Sequence, residues 1–258
     1  MRKSIVVIAA AALLAAGGVV LTQSAFAGAT PAYHPTRLKN VGNAQQLIVV
    51  TGAGAKSTYS TLRTYQLGAD GTWAERFPAM AARNGYGGWV WSNSRIQGTG
   101  TTPAGTFSLR DAFGLSANPG TKITYRHADS NDYWVGDNRD AKTYNLVQTR
   151  ASPKRTWRTT EAERLAAYPT QYEYALVVDF NRPHAETVKY NATRMQYETS
   201  KPMNVRRGSA IFLHVNGAGS TAGCVSVSRA NMLNVLRWLD PAKKPRLVMA
   251  PLADIGKA

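Results

Sequence analysis

The sequence predicts a mainly β protein, on three observations. Residues 61–67 alternate apolar and polar side chains with period two, as a half-buried strand requires. Residues 72–77 read as the partner strand across Ala69-Asp70-Gly71, where Asp-Gly tolerates the positive φ of a tight hairpin. Residues 174–180 hold Leu176, Val177 and Val178 in succession, the pattern of a strand buried on both faces.

The remaining elements follow in chain order. Residues 1–27 have the form of an export signal: Arg2 and Lys3, an apolar run from Ile5 to Val20, and Ala25-Phe26-Ala27 as a small-residue cleavage site. No transmembrane segment is expected once that signal is cleaved, and no cysteine follows it to carry a lipid. Residues 28–44 mix Pro, Thr, Asn and Gly and read as a flexible leader. Residues 46–50 form a short β run. Residues 97–105 are glycine-rich, but they lack the Gly-Lys-Ser/Thr ending and following helix of a phosphate loop, so they read as a turn. Residues 122–126 and 133–135 are short strand candidates. Thr160 is placed to cap a short helix, with Glu163 reaching back as in a capping box and Pro169 stopping it. No repeat or linker divides residues 45–258, which are therefore expected to form one domain.

Composition narrows the class. The chain has 258 residues, 44% of them hydrophobic, enough for a packed core. Net charge is +16, with basic residues scattered rather than run together, and no nucleic-acid motif accompanies them. For an exported protein this charge favours an anionic cell envelope as partner; plain solubility explains it as well.

The single cysteine cannot form an internal disulfide. It is a small buried residue, an intermolecular link or a free reactive thiol. Its surroundings admit the last without excluding the first. In the strand expected over residues 210–215, period two puts Ile211, Leu213 and Val215 on a core face and Ala210, Phe212 and His214 on the other. Residues 224–227 repeat the pattern, with Val225 and Val227 inward and Cys224 and Ser226 outward. Ser228 then caps a helix carrying Met232, Val235, Leu236 and Leu239, which Pro241 ends. If the two strands are neighbours, His214 lies beside Cys224. A histidine partner lowers a thiol's pKa, and the N–H groups of Gly223 and Cys224 are candidates to hold an oxyanion. A core histidine is the commoner reading of a lone His. One Cys with one His makes no metal site.

The order of motifs adds to this. Gly208-Ser-Ala-Ile-Phe-Leu-His214 followed by Thr221-Ala-Gly-Cys224-Val-Ser226, with Thr102-Pro-Ala-Gly-Thr-Phe107 upstream, resembles the L,D-transpeptidase family of the YkuD type, in its branch with a short His-to-Cys interval. The resemblance runs from about Leu47 to the C-terminus. It implies a β-sandwich catalytic domain with one or two short helices, and a secreted or cell-wall-associated acyltransferase acting on peptidoglycan stem peptides. Cys224 would be the nucleophile and His214 its base. Ser220, Thr221, Ser226, Trp134, Asp137 and Tyr144 are candidate site-lining residues, and no cofactor is needed. A backbone carbonyl, Asp137 or Ser220 would orient the histidine. The family's commoner pattern differs at Ala222 and Ser226. An L,D-carboxypeptidase or cross-link hydrolase using water, and a non-catalytic envelope-binding protein of the same fold, are the alternatives.

Overall fold

A computed structural model describes residues 33–258; the expected signal segment lies outside the described residues. The strands in chain order are β1 (Gln46–Gly52), β2 (Tyr59–Leu67), β3 (Trp73–Glu75), β4 (Met80–Arg83), β5 (Trp89–Trp91), β6 (Thr102–Gly114), β7 (Thr124–His127) and β8 (Tyr133–Val135). Then come β9 (Val147–Gln148), β10 (Ala162–Arg164), β11 (Ala175–Val178), β12 (Val188–Asn191), β13 (Gln196–Thr199), β14 (Phe212–Val215) and β15 (Val225–Val227). Helix α1 (Arg229–Trp238) and β16 (Arg246–Pro251) end the series.

The mainly β class holds, and the strand pairing draws a barrel-like sheet without showing the expected sandwich. Hydrogen bonding runs β1-β16-β6-β11-β14-β15-β4-β2, and β2 pairs back onto β1 over Gln46↔Gln66 to Gly52↔Ser60, closing the sheet into a barrel-like ring. Closure leaves no free edge among those strands, and an interior of this size is filled by side chains. Ile48, Val50, Leu62, Leu109, Leu176, Leu213, Val225, Leu247 and Met249 fill it, joined by Met232, Val235 and Leu236 of α1. The helix begins where expected, with Ser228 Oγ accepting the Asn231 N–H at 3.3 Å.

Two smaller apolar layers cover the outside of the ring. Against β1 and β16, Tyr33, Leu38 and Ala44 pack with Leu47, Val49, Val248 and Ile255. The described part of the stretch expected to be a flexible leader is therefore packed, because its apolar side chains meet the outward face of β1. On the opposite side, Phe113, Ala175, Val177, Phe212 and Cys224 point outward and are covered by Trp134, Leu165 and Tyr172. Strand β11 is buried on both faces, as its unbroken apolar run implies.

Two local expectations change. Residues 102–105 belong to the 13-residue strand β6 rather than to a turn, because β5 pairs with them in parallel at Trp89↔Thr102 and β16 pairs antiparallel at Met249↔Gly105. The helix expected from Thr160 is instead a 3-10 turn, Thr159–Glu161, followed by β10. Pairing of β10 with β8, at Glu163↔Trp134, outweighs the capping-box pattern and turns Glu163 away from any cap.

One polar residue ties this covering layer to the site strands. Asn145, buried and at φ +59, accepts the Trp134 Nε1–H at 2.8 Å and the Ala210 N–H at 3.1 Å. It donates to the carbonyls of Phe180 at 3.1 Å and Asn181 at 2.6 Å. Each buried group left without a partner costs about 1–3 kcal/mol. Asn145→Ala is therefore expected to lower stability by about 3–5 kcal/mol, read as a shift of the urea midpoint with unchanged slope; a shift within error of zero would contradict this tie.

Candidate functional site

The site forms where two consecutive outward strands lie side by side. β14 and β15 pair in parallel at Leu213↔Val225, His214↔Ser226 and Val215↔Val227. Alternation then sends Leu213, Val215, Val225 and Val227 into the barrel, and Ala210, Phe212, His214 and Cys224 to the outer face. Cys224 precedes the paired segment by one residue, so it lies diagonally from His214 on one face. Both line a cavity of about 300 Å³. Its other walls are Glu163, Tyr168 and Tyr172, the loop from Gly217 to Ala222, and Ser209.

Cys224 is 8% exposed and His214 5%. The His214 Nδ1–H donates to the carbonyl of Val215 at 2.8 Å, which leaves Nε2 as the basic nitrogen. Of the three orienting candidates, a backbone carbonyl makes the contact. The Tyr172 ring and the imidazole meet edge to face, centroids 5.7 Å apart. The thiol donates to the Ala210 carbonyl at 3.3 Å and accepts the Phe212 N–H at 3.4 Å. No hydrogen bond joins Sγ to the imidazole among the described residues.

The electrostatics follow from burial. Desolvation pushes the Cys224 thiol up to about 12, with the Glu163 carboxyl adding to the rise and the Phe212 N–H and Arg95 opposing it. Desolvation also holds the His214 imidazole below its ordinary value, against the pull of the Val215 carbonyl. Both shifts favour a neutral thiol beside a neutral imidazole. The expected lowering of the thiol by its histidine neighbour is therefore reversed at rest, because burial outweighs any pairing.

The turn before the cysteine is braced from two sides. Thr221 Oγ1 donates to the Cys224 carbonyl at 2.6 Å and accepts the Gly223 N–H at 3.1 Å. Gly223 has φ +135, and a Cβ there would stand 2.8 Å from both Arg95 Nη2 and the Thr101 carbonyl. Glycine is thus required on two counts. Of the two N–H groups expected to hold an oxyanion, that of Gly223 is occupied; that of Cys224 bonds no other residue among those described and lies toward its own Sγ.

Arg95 escaped the sequence analysis. It is 5% exposed, donates Nε–H to the Thr101 carbonyl and Nη1–H to the Arg207 carbonyl, each at 2.8 Å, and has no carboxylate partner among the described residues. A Cβ on Gly208 would fall 1.6 Å from its Nη1, so Gly208 and Gly223 together make room for a cation behind the cysteine. Nothing in the local sequence marks it, since its partners are brought up by distant segments.

Other candidate lining residues divide. Ser220 and Thr221 line the cavity. Ser226 does not; it is fully buried opposite His214 in the strand register, its hydroxyl without a hydrogen-bond partner. Trp134 lies behind Phe212, ring centroids 4.8 Å apart. Asp137 is bound by Arg158 through Nε at 2.9 Å and Nη2 at 2.5 Å, which holds its carboxyl down to about 2. Tyr144 is buried and donates to Gln97. These last three build the layer over the site rather than its wall. Among the described residues, no group of three or more His, Cys, Asp or Glu is placed to hold a metal ion.

Residues 34–248 match the family model described as the YkuD L,D-transpeptidase catalytic domain. The chain belongs to that family. No curated protein matches it, and no solved structure does. Among the described residues no helix is long and apolar enough to cross a membrane.

A thiol raised by burial is protonated below its pKa, so its anion grows tenfold with each pH unit until that value is passed. The second-order rate of Cys224 alkylation by iodoacetamide in the resting protein is expected to climb through pH 9 without a plateau. A plateau near pH 6 would mean a preformed thiolate–imidazolium pair.

Proposed function

We propose that the protein is an exported, cysteine-dependent L,D-transpeptidase that joins peptidoglycan stem peptides through a thioester on Cys224. The observation that carries this reading is the shared cavity: a lone thiol and an imidazole whose Nδ1 is held by the Val215 carbonyl, with Nε2 free. The fixed tautomer suits a general base.

Because both groups are neutral at rest, the proton moves as the bond forms rather than beforehand. Sγ leaves the Ala210 carbonyl, gives its proton to His214 Nε2 and attacks the carbonyl carbon of the residue at stem position three. The Cys224 N–H receives the developing oxyanion. As the tetrahedral centre collapses, the C–N bond to the terminal D-Ala breaks and imidazolium returns the proton to the departing amine. The thioester stays on Cys224. An amine from a second stem then attacks, forming the amide of a 3→3 cross-link and releasing the sulfur. With water in place of that amine, the same steps give an L,D-carboxypeptidase. The high positive charge supports residence at an anionic envelope.

Incubation with a carbapenem, followed by intact-mass measurement, is expected to add one acyl group to the wild type and none to Cys224→Ala. His214→Ala is expected to slow acylation by about a hundredfold or more, the usual worth of a general base. An unmodified wild-type protein, or an adduct that survives Cys224→Ala, would favour a non-catalytic envelope-binding protein. Muropeptide products formed with and without an acceptor stem separate transfer from hydrolysis.

A further inference from the structure

Glu163 is a cavity-wall carboxyl that thioester formation does not use. β10 places it opposite Trp134 on β8, and the side chain enters the cavity that holds Cys224 and His214. Its Oε2 accepts the Tyr172 O–H at 2.5 Å. Its other oxygen has no hydrogen-bond partner, and none of the ion pairs among the described residues includes it.

Among the described residues Asp70, Asp129, Asp140 and Glu186 also lack a cation, but Glu163 is the one of these carboxylates that lines the cavity. Lysine and arginine outnumber aspartate and glutamate by 31 to 15, and neighbouring carboxylates find partners readily. Glu161 lies 3.7 Å from Arg158, and Glu173 lies 2.6 Å from Arg229. Among the described carboxylates only Glu163 lines the cavity that holds Cys224. Burial holds its carboxyl above the usual range, against the Tyr172 hydrogen bond, and its charge is felt at Cys224. A carboxyl in that position rests protonated, and ionises when a ligand brings a cation to it.

We infer that Glu163 is the acceptor subsite: it binds the ammonium group of the incoming amine and takes one proton from it before the amine attacks the thioester. The inference rests on the thioester reading of Cys224. The acceptor is favoured over the donor's own side-chain ammonium by position. The attacking nitrogen must come within bonding reach of the carbon attached to Sγ, whereas the donor's ammonium stands several bonds away from that carbon.

The step balances as follows. The ammonium gives one proton to the Glu163 carboxylate, leaving a neutral amine with its lone pair free. That lone pair forms the C–N bond, the C–S bond breaks, and the electron pair leaves on sulfur. The second proton passes from nitrogen to His214 Nε2 and on to the thiolate, restoring the thiol. Glu163 then loses its proton to solvent. Approach of the ammonium itself favours the ionised carboxylate, offsetting the effect of burial.

The test is partition of a preformed acyl-enzyme, which cancels any change in how fast it forms. Wild type and Glu163→Gln are loaded with a tetrapeptide donor, and transfer to an amine acceptor stem is measured against hydrolysis. The ratio of transfer to hydrolysis is expected to fall by about thirtyfold or more in Glu163→Gln, the cost of removing one partner of a buried charge pair. A second measurement uses wild type alone: an acceptor whose amine is replaced by hydroxyl should compete far less well than the amine. An unchanged ratio, or equal use of the two acceptors, overturns the acceptor subsite while leaving the thioester intact. A wild type that forms no acyl-enzyme overturns the thioester reading itself.

Discussion

The parallel pairing of β14 with β15 is the constraint on which the rest depends. Each strand alternates, so one register decides both what fills the barrel and what faces the cavity. Leu213, Val215, Val225 and Val227 close the interior, and the same alternation presents His214 and Cys224 outside it. A slip of one residue would bury the imidazole among aliphatic side chains and expose four of the core's branched residues. The hydrophobic interior thereby guards the register of the site.

Around that pair the protein arranges charge by burial rather than by contact. The thiol and imidazole are both kept neutral, while Arg95 stands behind Gly223 as a fixed cation and Glu163 stands across the cavity as an acid. The two oppose each other at the sulfur: the guanidinium favours the thiolate and the carboxyl disfavours it. Desolvation dominates both at rest. A substrate that changes the solvation of the cavity, or brings its own cation to Glu163, changes the balance at the moment of reaction. A buried pair of neutral groups also shields the lone thiol from adventitious oxidation, because thiolate character governs that chemistry.

The covering layer matters as much as the barrel. Trp134, Tyr172 and Leu165 lie over Phe113 and Phe212, and Asn145 fastens the layer to Ala210, four residues from His214 and the acceptor of the thiol proton. A segment with little regular structure is held there by aromatic packing and four hydrogen bonds from one amide side chain. That is why β10, only three residues long, can hold Glu163 in the cavity wall.

By itself the sequence determined the local features whose causes are local: alternation on β14 and β15, the doubly buried β11, the Asp70-Gly71 turn, the Ser228 cap and the apolar stripe of α1. It also determined the family, since the Cys224 and His214 motifs are contiguous. Only the tertiary structure decided what depends on distant pairing. Closure of β2 onto β1 makes the sheet barrel-like. Pairing with β8 makes Glu163 a cavity residue rather than a helix cap, and Trp134, Asp137 and Tyr144 fall behind the site instead of lining it. The thiol's pKa belongs to the same group, because desolvation is summed over every atom that surrounds the sulfur, and most of those atoms come from far along the chain.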